Sequence, residues 1–318
     1  MNKIGILKIG TKLENVKLKN DKNGMYKELI DLCAVMRDFG GQEGYSIYFI
    51  DNDSLKQHAL HSFEAIYILN GVITEDTIKE IEQIKQYTNK LFYILTDLRL
   101  INHELVKYFD AIYTQAKQLK EYNVKQFYSG MPELALYGMT KEQIKQYYDN
   151  FDYKQKIFVF GGGFKNRTDK IYDYILNNKM IDNRFEFYGK GQIFNKEFDT
   201  RIPINEYREV LSNTKYSIAV ADEENNKNGF ITWRYFENIA RGVITFFDYE
   251  YDKDDIINLN ATIKDFLRIK NGKELYNKIN ILENNKQVRR RVLNEQLKLI
   301  TEYKISGEYT YNQLMNWR

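Results

Sequence analysis

The chain has 318 residues and a net charge of +3, with 43% hydrophobic and 29% charged residues, so it carries enough apolar mass for two packed domains, which excludes a disordered polyelectrolyte. Its one cysteine, Cys33, excludes an internal disulfide and a Cys-rich zinc site and suits a reducing, cytoplasmic setting. No apolar run approaches the roughly 18 residues of a membrane span, and Met1 leads directly into Lys3-Ile4-Gly5-Ile6-Leu7 without a signal-peptide pattern, so no membrane partner is expected.

In chain order, short apolar runs alternate with amphipathic stretches. Ile4–Ile9, Tyr45–Ile50, Ala65–Leu69, Leu91–Leu95 and Ala111–Tyr113 read as strands, as do Ile157–Phe160, Phe185–Tyr188, Ser217–Val220 and Val243–Phe247. Helical patterns fall between them, among them Met25–Arg37, Glu75–Thr88, Asp169–Asn177 and Tyr235–Arg241. This alternation predicts α/β domains built from βαβ units, with parallel sheets covered on both faces. A polar, Pro-containing stretch from Gln126 to Tyr153 separates the two series. The predicted domains are 1–150 and 151–304, with the aromatic tail 305–318 joined to the first. Lys273–Glu302 reads as one or two charged helices.

Sheets of this kind bind ligands beyond the carboxyl ends of their strands. Gly161-Gly162-Gly163-Phe164-Lys165-Asn166-Arg167 follows a strand and precedes a helix. Its glycines permit close backbone approach, and Lys165 and Arg167 add cations for a phosphate; the alternative is a tight turn with exposed basic residues. Its glycine spacing fits neither a P-loop nor a dinucleotide fingerprint. Arg234 and Glu237 share a helix face three residues apart, as a surface ion pair or as a clamp, with arginine on a diphosphate and carboxylate on ribose. Asp97, after the strand Leu91–Leu95, is placed either for general-base work or as a helix cap or partner of Arg99. His58, His61 and His103 have no metal-ligand spacing, with His58 and His61 expected on an exposed face. Arg289-Arg290-Arg291 reads as a solvated helix face, with DNA phosphate contact as the alternative. Lys12, Lys17, Lys19 and Lys22 give the region after the first strand a local positive excess.

Taken in order, Ile4–Gly10, Phe92-Tyr93-Ile94-Leu95-Thr96-Asp97-Leu98-Arg99-Leu100, Gly161–Lys165, Phe185-Glu186-Phe187-Tyr188-Gly189, Ile202-Pro203 and Phe230–Glu237 resemble the T-even phage DNA β-glucosyltransferase family. The resemblance spans most of the chain and is densest from Phe160 to Tyr251. It implies a GT-B type fold, two Rossmann-like domains facing a central cleft, and a phage-encoded enzyme of the host cytoplasm that carries glucose from UDP-glucose to 5-hydroxymethylcytosine in double-stranded DNA. By the resemblance Asp97 is the general base, Arg234 grips the diphosphate and Glu237 holds the ribose. Gly163, Lys165 and Arg167 lie at the phosphates, and Tyr188, Gly189 and Ile202 at the uracil. Gly10, Thr11, Lys19, Asn23 and Arg99 lie on the acceptor side. Lys165 stands where the family has arginine, which keeps the charge and loses bidentate geometry. A family glutamate after the first strand has no equivalent, with Asn23 near its place. The resemblance further implies a monomer that flips the acceptor base and uses Mg or Mn; no metal cage is visible in the residue spacing. Other acceptors consistent with the same fold are 5-hydroxymethyluracil in DNA, with glucose or another UDP-sugar, or a molecule other than DNA.

Overall fold

The computed structural model describes residues 2–8, 11, 12, 16, 27–69, 75–95, 107–114, 136–163, 167–193, 196–227, 229–252, 255–303 and 307–318. The chain divides into two compact units, Met1–Tyr137 with Ser306–Arg318, and Gly138–Ile305.

The first unit holds β1 (Asn2–Lys8), β2 (Tyr45–Phe49), β3 (Ala65–Leu69), β4 (Leu91–Leu95) and β5 (Ala111–Thr114), all parallel in the order β2-β1-β3-β4-β5. β3 and β4 are continuous apolar runs and β5 adds only Thr114 to its own, and all three are buried at every position. Strands covered on both faces need no polar alternation, which is why these runs lack it. Helices Lys27–Gln42 and Glu75–Lys85 supply cover on the described part of the crossovers.

The tail completes this unit. Helix Glu308–Leu314 starts after Gly307, whose φ of 75° lies in the left-handed region, and a Cβ there would meet Val35 Cγ2 at 2.8 Å. The Tyr67 hydroxyl, from β3, donates to the Leu314 carbonyl at 2.5 Å and accepts from Trp317 Nε1 at 2.7 Å. The Tyr113 hydroxyl, from β5, donates to the same carbonyl at 3.3 Å. Tyr311 donates to Glu43 at 2.9 Å, and Arg318 reaches both Tyr311 and Glu43.

The second unit holds β6 (Lys156–Gly163), β7 (Phe185–Ile193), β8 (Lys196–Asp199), β9 (Thr214–Ala219), β10 (Ile244–Asp248) and β11 (Arg268–Ile269), in the order β11-β10-β9-β6-β7-β8. All neighbours are parallel except the β7–β8 hairpin at one edge. β8 and β11 are absent from the sequence prediction because an edge strand such as Lys196-Glu197-Phe198-Asp199 is short, polar and nearly all exposed. After β9 comes helix Glu223–Lys227, whose first turn the Asp222 carboxylate holds by accepting from the Asn225 amide at 3.0 Å. The predicted helix after β6 contains a π-helical stretch, Tyr172–Leu176.

Helix Lys141–Asp149, on the N-terminal side of position 150, lies in the second unit, where it buries Ile144 and Tyr148 and where Tyr148 donates to the Ile239 carbonyl at 2.8 Å. Lys154, 6% exposed, donates to the Arg241 carbonyl at 2.5 Å and the Gly242 carbonyl at 3.0 Å, and so holds the C-terminal end of helix Trp233–Ala240. Burial pushes its ammonium down to about 7, with the Arg241 charge adding to the effect.

Arg289 and His58 are more engaged than their sequence context predicts. Arg289 is not solvated: it donates to the Leu282 and Glu283 carbonyls, at 2.7 and 3.2 Å, and pairs with Asp152 at 2.9 Å, leaving Arg290 and Arg291 as the exposed part of the run. His58 is half-buried, its ring 4.8 Å from that of Phe63 and 5.3 Å from that of Tyr48.

Candidate functional site

In an open parallel sheet the order reverses at one place, where crossovers leave in opposite directions and a crevice opens beyond the strand ends. In the second unit that place lies between β6 and β9. β6 ends in Gly161-Gly162-Gly163, and β9 is followed by Val220, Ala221 and Asp222.

Arg167 spans the reversal. Its Nε donates to the Gly163 carbonyl at 3.1 Å, and its Nη1 donates to the Val220 carbonyl. The guanidinium therefore ties the end of β6 to the end of β9 and places a fixed positive charge between them. The glycines are required by different neighbours. A Cβ on Gly161 would sit 2.6 Å from Tyr207 Oη, and one on Gly162 would lie 3.2 Å from Arg167 Nη2. On Gly189, paired with Gly162 across β6 and β7, a Cβ would strike the Gly162 carbonyl oxygen. Gly163 differs: the contact nearest an added Cβ is the Lys190 carbonyl at 3.8 Å.

Arg234 and Glu237 lie on helix Trp233–Ala240, which follows β9 through the segment from Asp222 to Thr232. Tyr251 takes up the Thr232 amide at 2.8 Å and contacts the Thr232 hydroxyl at 2.9 Å, fixing the start of the helix. The Arg234 guanidinium carbon lies 5.8 Å from the ring centroids of both Phe160 and Tyr207, near the outer limit of a cation–π contact. Glu237 is 2% exposed and pairs with Arg208 Nη2, on helix Ile204–Ser212, at 3.3 Å. The i,i+3 spacing thus sets both side chains on one face, and each finds a partner on helix Ile204–Ser212. Burial raises the Tyr207 phenol's pKa, and the neighbouring Arg234 charge pulls it back.

Tyr188 and Gly189 stand at the carboxyl-terminal part of β7. The Tyr188 side chain points back along the strand, its hydroxyl donating to Glu186 at 2.8 Å, and burial together with that carboxylate pushes it up to about 12. Its ring meets that of Tyr207 edge-on, with centroids 6.1 Å apart. Thr200 fastens the next segment there: its amide donates to the Gly189 carbonyl at 2.8 Å, and its hydroxyl accepts from the Gly189 amide at 3.0 Å. Ile202, half-buried, follows two residues later, and Pro203 opens helix Ile204–Ser212.

The described geometry therefore brings Gly163, Arg167, Tyr188, Gly189, Ile202, Arg234 and Glu237 to the carboxyl-end half of the second sheet and its adjoining helices. Tyr207, Arg208 and Thr200 join them and were not singled out in the sequence, because each contacts residues distant in the chain. Lys165, Asp97, Gly10, Lys19, Asn23 and Arg99 lie outside the described residues. In the first unit Thr11 is half-buried, and its amide closes a turn onto the Lys8 carbonyl at 3.1 Å, just beyond β1.

Other carboxylates near the strand ends are engaged: Asp222 with Asn225, and Asp248 with Lys170 at 2.9 Å and Tyr174 at 2.7 Å. Among the described residues no group of three or more His, Cys, Asp or Glu converges as a cation site. No described helix is long and apolar enough to cross a membrane.

Residues 169–316 match a family profile described as glycosyl transferase-like. No curated protein sequence matches the chain. Among solved structures it is similar to T4 phage BGT in complex with UDP and Mn2+, with 18% identity, a TM-score of 0.67, and 98% of this chain and 97% of that one covered. It is similar also to the DNA modifying enzyme beta-glucosyltransferase, studied with and without uridine diphosphoglucose, at 17% identity and a TM-score of 0.68 over 99% and 98% of the two chains. An alpha-glucosyltransferase in complex with UDP-glucose and DNA containing an abasic site is more distant, at 14% identity and a TM-score of 0.55 over 98% of each chain. At such identities the likeness speaks for architecture: two α/β units with parallel sheets of five and six strands (the latter with one antiparallel edge strand) give this chain the fold of a GT-B type glycosyltransferase.

Proposed function

We propose that this protein is an inverting glucosyltransferase that moves glucose from UDP-glucose to the hydroxymethyl group of 5-hydroxymethylcytosine in double-stranded DNA. The observation that carries the reading is the gathering of Arg167, Arg234 and Glu237 around the order reversal of the second sheet. The end-to-end likeness to a DNA modifying β-glucosyltransferase supports it, as does the glycosyl transferase-like profile.

On this reading the second unit takes the donor. Arg234, Arg167 and Lys165 meet the diphosphate, Gly163 lets it approach the backbone, and Glu237 accepts from the ribose hydroxyls. Uracil lies along the backbone of Tyr188 and Gly189 and against Ile202. Fixed cations stabilise charge that grows on the leaving diphosphate, and they do so without reorganising during the reaction. The first unit receives the DNA, with Gly10, Thr11, Lys19, Asn23 and Arg99 on the acceptor side. Lysine contacts to phosphates make that affinity sequence-tolerant and salt-sensitive. The acceptor base leaves the helical stack to be reached.

In the transfer itself the hydroxymethyl oxygen forms a bond to the anomeric carbon from the face opposite the diphosphate. The bond from that carbon to the phosphate oxygen breaks, its electron pair leaves with UDP, and the hydroxyl proton passes to the Asp97 carboxylate. One such displacement inverts the anomeric centre. The described side chains do not fit a protein-ligated metal cage, so no step is assigned to the Mg or Mn that the family resemblance implies.

The test incubates the protein with UDP-glucose and duplexes containing cytosine, 5-hydroxymethylcytosine or 5-hydroxymethyluracil, then weighs the nucleosides. A hexose on 5-hydroxymethylcytosine alone is the expected result. A hexose on 5-hydroxymethyluracil would replace the acceptor, and none on any duplex would reject DNA. Asp97→Asn should bind UDP normally and transfer nothing; full turnover would remove Asp97 as the base.

A further inference from the structure

Helix Ile204–Ser212 contributes nothing to the site's sequence pattern, yet two consecutive residues on it reach both halves of the arginine–glutamate pair. Neighbours on a helix point about 100° apart, so one turn can serve two directions. Tyr207 lays its ring over Gly161, a position that admits no Cβ, and faces the Arg234 guanidinium, with Phe160 at the same 5.8 Å distance. Arg208 reaches Glu237 Oε1 at 3.3 Å.

From these contacts we infer that Tyr207 and Arg208 are positioning residues of the nucleotide site, Tyr207 presetting Arg234 for the diphosphate and Arg208 presetting Glu237 for the ribose hydroxyls. The inference rests on the donor assignment above.

The chemistry of each contact differs. A carboxylate 2% exposed keeps its charge only when a cation accompanies it. With Arg208 beside it, Glu237 stays an acceptor, which is what two hydroxyl donors of a ribose require. A protonated carboxyl would offer a hydrogen to groups that bring their own. Arginine, for its part, has many rotamers, and a guanidinium already facing two aromatic rings loses less freedom on meeting an anion. The Tyr207 hydroxyl is buried beside the Gly161 backbone and the Arg234 guanidinium, in a geometry that completes no hydrogen bond to either. The ring is therefore the working part, and the hydroxyl is dispensable.

Calorimetric titration with UDP, 2′-deoxy-UDP and UMP separates these roles, because each ratio of affinities is internal to one variant and a general loss of fold leaves it unchanged. The wild type should prefer UDP over both. Arg208→Gln should weaken UDP about tenfold and abolish the ribose preference, as Glu237→Gln does, while its UDP-to-UMP ratio stays normal. Arg208→Lys should restore most of that preference. Tyr207→Leu should cut the UDP-to-UMP ratio about fivefold, in the manner of Arg234→Ala, with the ribose preference intact, and Tyr207→Phe should match the wild type in both ratios. An undiminished ribose preference in Arg208→Gln overturns the role of Arg208. An unchanged UDP-to-UMP ratio in Tyr207→Leu, or a collapsed one in Tyr207→Phe, overturns that of the Tyr207 ring. A wild type that fails to bind UDP would instead overturn the donor assignment and take this inference with it.

Discussion

The two units share one plan and spend their polar groups differently. In the first, tyrosines from the sheet, Tyr67 and Tyr113, point across to the tail and bind the Leu314 carbonyl. In the second, polar side chains collect beyond the strand ends: Arg167 between β6 and β9, and Asp248 with Lys170 beyond β10. A parallel sheet buried on both faces offers few places for polar chemistry, and its carboxyl edge is one of them. The contrast teaches that the buried hydroxyls of the first sheet serve assembly, while charges gathered at the carboxyl edge of the second sheet mark a site; away from that edge a buried charge such as Lys154 serves packing too.

The largest effect should come from Gly189→Ala. Its Cβ would strike the Gly162 carbonyl, and backbone in a paired strand cannot yield, so a loss of about 4 kcal/mol or more is expected. Calorimetry should then show the second unit's melting lowered or missing; an unperturbed melt would show that β6 leaves room for a side chain at position 189. Next, Trp317→Ala removes a half-buried ring and the donor to Tyr67, at about 2–3 kcal/mol. If the tail serves assembly only, that variant should melt early and bind UDP as the wild type does. Altered UDP affinity would join the two regions that the comparison separates.

Lys154→Met gives a third, pH-dependent handle. The lysine's folded-state pKa of about 7 lies below its ordinary 10.5, so between these values the unfolded chain holds more protons, and wild-type stability should rise with pH through that window. The methionine variant lacks this rise and leaves the Arg241 and Gly242 carbonyls without their donor. Near pH 9 it should be less stable than the wild type by about 2 kcal/mol, with the gap narrowing toward pH 6. Parallel stability curves for the two would contradict the buried-amine account. The smallest effect should be Gly163→Ala, whose Cβ meets ordinary contact distances: stability should change by less than about 0.5 kcal/mol, while UDP binding weakens if the diphosphate needs the bare backbone.

Much of the architecture was legible in the residues. Buried strands such as Leu91–Leu95 carry continuous apolar runs that no surface segment tolerates, and Gly161–Gly163 marks a strand end by composition. Edge strands β8 and β11 were not legible, since their pairing depends on neighbours and not on their own pattern. The site was legible where spacing within one helix sufficed, as with Arg234 and Glu237. Arg208 and Tyr207 were invisible because their meaning arises from contacts 27 to 46 residues away, such as Tyr207 with Arg234 and Gly161 and Arg208 with Glu237.

The hydrogen bond from Tyr67 to Leu314 joins residues 247 positions apart. During synthesis, the first sheet can form from its own strands long before this partner leaves the ribosome, but its tyrosine-lined face stays without its tail until residues 308–317 emerge. The second unit lies wholly within the intervening chain, and its helix Lys286–Glu302 emerges shortly before the tail. Completing the first unit thus needs contacts across almost the whole of the chain, a long-range closure that slows folding.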